Sequence, residues 1–167
     1  MIFFEQNAAV IILVALTILL QCAGMIALIQ WIKAQFPSGI HRLGTVRSFF
    51  VVVRFTTLLI CLHVLEILLW AWFYRIRLLA SWEAAFYLSA ADYSTVGAGD
   101  IVLQPTWRLM GPIESVTGVL MCGLSAGFLF ALVTRMIVLE DPAIAESGTE
   151  DRSQPSGAAS ESHSSVP

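Results

Sequence analysis

The sequence predicts an all-α transmembrane protein, with three spans per chain and a short re-entrant helix and loop between the second and third. Three observations carry that prediction. Hydrophobic residues make up 57% of the 167 and charged residues only 13%, against roughly 45–50% and about 25% in soluble domains. A chain this short cannot hide so much apolar surface in a water-excluded core of its own. Finally, the charges leave runs long enough to cross hydrocarbon, and one apolar segment between two such runs is too short to do so. Together these exclude a soluble enzyme, and no enzymatic activity is expected. A net charge of −3 and a pI near 5.5 leave no basic footprint for nucleic acid.

Residues 8–32 hold no charged side chain and exceed the ~20 residues needed for about 30 Å of hydrocarbon. Trp31 and Lys33 close the run with an interfacial aromatic and a cation. A cleaved signal peptide would want a basic start, whereas the first seven residues offer only Glu5. Leu19-Leu20-Gln21-Cys22 faintly resembles a lipoprotein cleavage site, but Gln21 stands where a small residue belongs. The segment is therefore expected to be a retained span. Residues 33–48 carry Lys33, Arg42 and Arg47 among Pro and Gly and read as a polar connection. Residues 1–48 thus form an extra helix and loop ahead of the remaining spans.

Residues 49–74 form the second span, ended by Trp70, Trp72, Phe73 and Tyr74. Trp31, Trp70, Trp72 and Trp107 are all expected as interface anchors. Arg54 lies near one end and can snorkel to the interface. His63 and Glu66 are three apart and share a helix face. Residues 82–92 are apolar but too short to span, with Ser81 as expected N-cap and Glu83 in the first turn. Residues 107–138 form the last span, with Gly111-Pro112 in its first turns, where Pro costs least. Glu114 in those turns is expected to be structural, and Gly123 and Gly127 make a small-xxx-small packing face. Residues 139–167 are acidic and rich in Ser, Pro and Gly, and are expected to be a disordered tail. Cys22, Cys61 and Cys122 lie in apolar runs with no CxxC and are expected to be thiols buried in hydrocarbon.

Irregular backbone at membrane depth is tolerated only inside protein or along a water-filled path. The stretch Thr95-Val96-Gly97-Ala98-Gly99-Asp100, following the short helix, therefore demands a function. The physical one is a set of backbone carbonyls that replaces a cation's hydration shell. Gly97 and Gly99 would supply the positive φ angles that a ribbon with all carbonyls on one side requires. The negative end of the helix dipole favours a cation at the same place.

At these residues the chain resembles the pore module of potassium-channel-family proteins, in its small prokaryotic, single-pore-loop form. The family signature is T-V-G-Y-G-D, and the resemblance covers residues 49–138: outer helix 49–74, pore helix 82–92, filter 95–100, inner helix 107–138. Trp107-Arg108-Leu109 also looks like the family's start of the inner helix. The resemblance implies a homotetrameric cation channel, since one chain offers one filter loop and a ring needs four. It places potassium on the backbone of Thr95, Val96, Gly97 and Ala98, with Gly99 completing the filter and Asp100 at the outer mouth. It places a hinge at Gly118. Trp82, Glu66, Asp92 and Ser94 are expected to support the filter from behind, Glu66 by bonding to the pore helix or to Trp82. No cofactor is expected, potassium being the permeant ion. The implied partners are the lipid bilayer, monovalent cations and further copies of the chain. A loop entering from outside would put the amino terminus outside and the carboxyl terminus in the cytoplasm, and a bacterial plasma membrane is the expected location.

Two residues depart from the family pattern. Ala98 replaces an aromatic that in the family packs behind the filter, which leaves a gap, and a looser filter with weaker discrimination between potassium and sodium is expected. Asp92 replaces a residue that is usually neutral, and either adds negative potential or bonds to Ser94 or a backbone amide. Two other readings stay open: a non-conducting interaction protein with a channel fold, and a proton-coupled transporter using His63 and Glu66.

Overall fold

The structure, a computed structural model, describes residues 2–35 and 45–140, with side chains described over 6–35 and 46–135. Four α-helices follow one another: α1 (Ile2–Gln35), α2 (Thr45–Arg77), α3 (Trp82–Tyr93) and α4 (Met110–Glu140). A single 3₁₀ turn, Pro105–Trp107, precedes α4. Three of the helices are long and apolar enough to cross a membrane, over Gln6–Gln35, Val46–Arg77 and Pro105–Arg135. The first two outrun their expected spans by several residues, because polar residues at helix ends can continue the hydrogen-bonded spiral beyond the hydrocarbon; α4, at Met110–Glu140, is instead shifted slightly from the expected 107–138. Most of the expected connection 33–48 and all of the tail after 140 lie outside the described residues.

Two apolar clusters sit at opposite ends of the bundle. One joins the C-terminal half of α1 (Met25, Leu28, Ile32), the N-terminal part of α2 (Val51, Phe55, Leu59) and Leu132 of α4. The other joins Val10 and Leu13 of α1, Trp70 and Tyr74 of α2, Ala85 and Leu88 of α3, and Met110 of α4. This distribution makes successive long helices antiparallel. It puts the start of α1, the whole of α3 and the start of α4 at one end, with the end of α4 at the other. Near the far end Arg54 stacks over the Trp31 ring at 4.5 Å, a cation–π contact that ties α2 to α1.

The first helix is joined to the others by polar contacts as well as by packing. Thr17 and Gln21 are fully buried. Trp70 Nε1 donates to Thr17 Oγ1 at 3.0 Å, and Gln21 Nε2 donates to Ser125 Oγ at 2.7 Å. Trp70 is thus a buried core residue that donates to α1, not the interface anchor expected of it. Cys22, Cys61 and Cys122 are all on the outside of the single chain.

Candidate functional site

The short helix α3 begins where a tight turn ends α2. The amides of Leu78 and Leu79 both donate to the Tyr74 carbonyl, and Ser81, in extended backbone, accepts from the Ala84 amide as N-cap. That hydroxyl satisfies one of the four orphan donors of the first turn. From there α3 descends between α2 and α4 until Tyr93 meets Glu66 and His63, well inside α2.

Two fully buried carboxylates hold it there. Glu114 of α4 accepts from Tyr74 of α2 at 2.6 Å and from Ser89 of α3 at 2.6 Å. Ser89 Oγ also lies 2.9 Å from the Ile67 carbonyl, so its one hydrogen is shared between α2 and α4. Lower down, Glu66 Oε2 accepts a short hydrogen bond from the Tyr93 hydroxyl. His63 Nδ1 stands 2.8 Å from that hydroxyl and 3.2 Å from Glu66 Oε2. Glu66 Oε1 has no partner among the described residues. Buried polar groups paired in this way fix one arrangement of three helices, because every alternative would strand a polar group in an apolar interior.

Glu66 therefore does bond to the short helix, through Tyr93 rather than Trp82. Trp82 is 53% exposed at the start of α3, well away from the carboxylates. Tyr93, Tyr74 and Ser89 complete the clamp, and Glu114 has the structural place expected of it. What could have flagged two of these partners was their spacing: Ser89 and Tyr93 are four apart, so they occupy one face of α3.

The segment after α3 is C-capped on that helix. The Ser94 amide donates to Ala90 O at 3.1 Å, Thr95 to Asp92 O at 2.9 Å and Gly97 to Ala91 O at 3.0 Å. These bonds satisfy carbonyls that the last turn of a helix leaves unpaired. They need left-handed backbone, found at Thr95 (φ 64°) and Gly97 (φ 76°). Gly97 is thus one of the expected positive-φ positions, and Thr95 takes the other in place of Gly99. Val96 is 81% exposed. Ser94 Oγ caps the helix as well, 2.7 Å from Ala90 O. Asp100 is exposed.

Asp92 has neighbours in three directions. Its carboxyl faces the Ala98 amide, near enough for that amide to favour the charged form. Its own carbonyl accepts from Ser115 Oγ of α4 at 2.6 Å. A Cβ at Gly111 would come within 2.6 Å of Asp92 Oδ2, so a larger residue there would push the carboxylate aside. Partial burial raises the Asp92 carboxyl above the ordinary carboxylate range, and the Ala98 amide works in the opposite direction. Beside Ala98 lies a cavity of about 220 Å³ that reaches from Leu88 to Arg108. Gly118 is a point of closest approach: a Cβ there would collide with the Tyr93 carbonyl and crowd its ring.

No curated protein and no solved structure shows a significant match to the chain. A family model described as an ion channel does match, over residues 60–135. That stretch takes in most of α2, all of α3 with its carboxylate clamp, the loop through Asp100, and α4 as far as Arg135. Residues 60–135 are thus similar to an ion-channel domain.

Proposed function

We propose that the chain is a passive cation channel, conducting potassium through a four-fold ring of backbone carbonyls from Thr95, Val96, Gly97 and Ala98. In this reading α3 is the pore helix, re-entering from the outer face. Residues 95–100 are the filter, Asp100 draws cations to the mouth, and Gly118 serves as the inner-helix hinge. Four copies surround one axis in the plasma membrane, with the amino terminus outside.

One observation carries the proposal. A six-residue stretch, Thr95-Val96-Gly97-Ala98-Gly99-Asp100, stands at the end of a short helix clamped between two span-length helices inside the ion-channel match. Physical chemistry supports it. Carbonyl oxygens can stand in for a hydration shell only where the backbone is held in place. Here the two carboxylates grip the helix, and Asp92 faces the loop at Ala98. In the ring, the Thr95 and Gly97 backbone must exchange its capping bonds for ion contacts, a change of conformation that glycine at 97 makes cheap.

The absence of a ring at Ala98 points to weaker discrimination between potassium and sodium. The test is flux through purified protein in liposomes. Potential-driven potassium flux that barium blocks supports the proposal. Gly97→Ala should abolish the flux while the protein still assembles, because an added Cβ disfavours left-handed backbone at the filter. Under bi-ionic conditions, Ala98→Tyr should move the reversal potential toward higher potassium selectivity. Flux that instead requires a proton gradient would replace the proposal with a transporter that uses His63 and Glu66.

A further inference from the structure

The cavity beside Ala98 is unused by the clamp or by the proposed ion path, and its lining has a definite chemical character. Leu88 forms a buried floor, and Ile101, Leu103 and Pro112 supply apolar walls. Asp92 presents its carboxyl from the helix side, and Arg108 stands exposed among the lining residues. A volume of about 220 Å³ is larger than the roughly 150 Å³ apolar cavity that admits benzene.

We infer that this cavity is a binding site for a small ring-bearing ammonium ion, whose ring lies against Leu88, Ile101 and Pro112 and whose cation pairs with the Asp92 carboxylate. Asp92 has acceptor capacity to spare, since an ionised carboxylate offers about four lone-pair sites and the Ala98 amide can use only one. The size of the cavity selects one ring, and the carboxylate selects a cation over a neutral isostere. Arg108 opposes the cation, but from an exposed position where salt screens it. An occupant would brace Ala98 from behind, filling the place that a larger side chain at 98 would take.

The test uses the full chain in lipid nanodiscs at pH 8, with 4-fluorobenzylammonium as the probe followed by ¹⁹F NMR. Saturable binding with a Kd on the order of 1 mM is expected for so small a ligand. The neutral 4-fluorobenzyl alcohol should bind at least tenfold more weakly. Asp92→Asn should also weaken the ammonium at least tenfold, Ala98→Phe should remove binding by filling the cavity, and Arg108→Gln should tighten it two- to threefold. Should Ala98→Phe not fold, Val102→Trp blocks the same space from the rim, where Val102 is 76% exposed. Non-saturable uptake, which is partitioning into the bilayer, would overturn the site, and so would equal affinity in the wild type, Asp92→Asn and Ala98→Phe. The readout is independent of conduction. Saturable binding in a protein that passes no cation keeps the site and overturns the channel proposal, whereas cation flux without saturable binding does the reverse.

Discussion

A methyl group at position 118 would run into the Tyr93 carbonyl, whereas one at 123 or 127 would meet nothing within 4 Å. Gly118 thus differs from Gly123 and Gly127 of the same helix in what it touches within the chain. Gly118→Ala should lower stability by about 1–3 kcal/mol, the usual cost of overpacking where backbone cannot retreat. Gly123→Ala should hold or raise the stability of the single chain, since alanine favours helix by about 1 kcal/mol. Thermal melting of the two variants in the same detergent checks this, and equal melting temperatures would refute the close approach at Gly118. The two carboxylates show both how far single residues were legible and where that stopped. A glutamate in an apolar helix needs a polar partner, so a hydrogen bond from the short helix to Glu66 was readable from chemistry alone. Which residue answers it depends on how far α3 descends, and that depth is decided by packing. Tyr93 therefore replaces Trp82 as the partner.

At the scale of elements, α1 shows why a membrane span hides its own contact face. In water, a helix packed on a core shows an apolar stripe against a polar back. In lipid both faces are apolar, so the stripe from Val10 through Leu13, Met25 and Leu28 to Ile32 does not stand out from Ile11, Leu19 or Ile26 on the outside. The buried polar residues Gln6, Thr17 and Gln21, the last two four apart and fully buried, mark the inward side. They also make the docking of α1 measurable. The Gln21–Ser125 hydrogen bond crosses from α1 to α4 at 2.7 Å, so Gln21→Leu, Ser125→Ala and the double variant form a closed cycle. The coupling energy should fall near 0.6 kcal/mol and no higher than about 1.7 kcal/mol, the range for side-chain hydrogen bonds inside membranes. A coupling indistinguishable from zero would mean that α1 docks by shape alone. Element type was readable throughout, from run length and from the Ser81 cap. The ends were not, because polar and charged residues beyond the hydrocarbon, such as Lys33, Arg75 and Arg77, continue a helix as readily as they leave it.

The molecule as a whole leaves one face of α4 without an internal partner. Val116, Val119, Leu120, Leu124 and Phe130 are exposed by 48% to 72%, and Gly123 and Gly127 open onto empty space between them. In a bilayer that face is not driven together by the hydrophobic effect, because lipid tails solvate leucine as well as protein does. Association needs close backbone approach, and small residues four apart provide it. If four filters are to meet at one axis, this face is where neighbouring inner helices come closest. Native mass spectrometry from a mild detergent should therefore give four times the 18.3 kDa chain. Gly123→Trp should shift the population to smaller species while the helical content of each chain stays unchanged, since position 123 touches nothing in its own chain. Retention of the full assembly in that variant would move the interface to another face and leave the ring reading standing. A wild-type protein that stays at single-chain mass in several mild detergents and in nanodiscs would remove the ring itself, and with it the only arrangement in which one filter loop per chain can surround an ion.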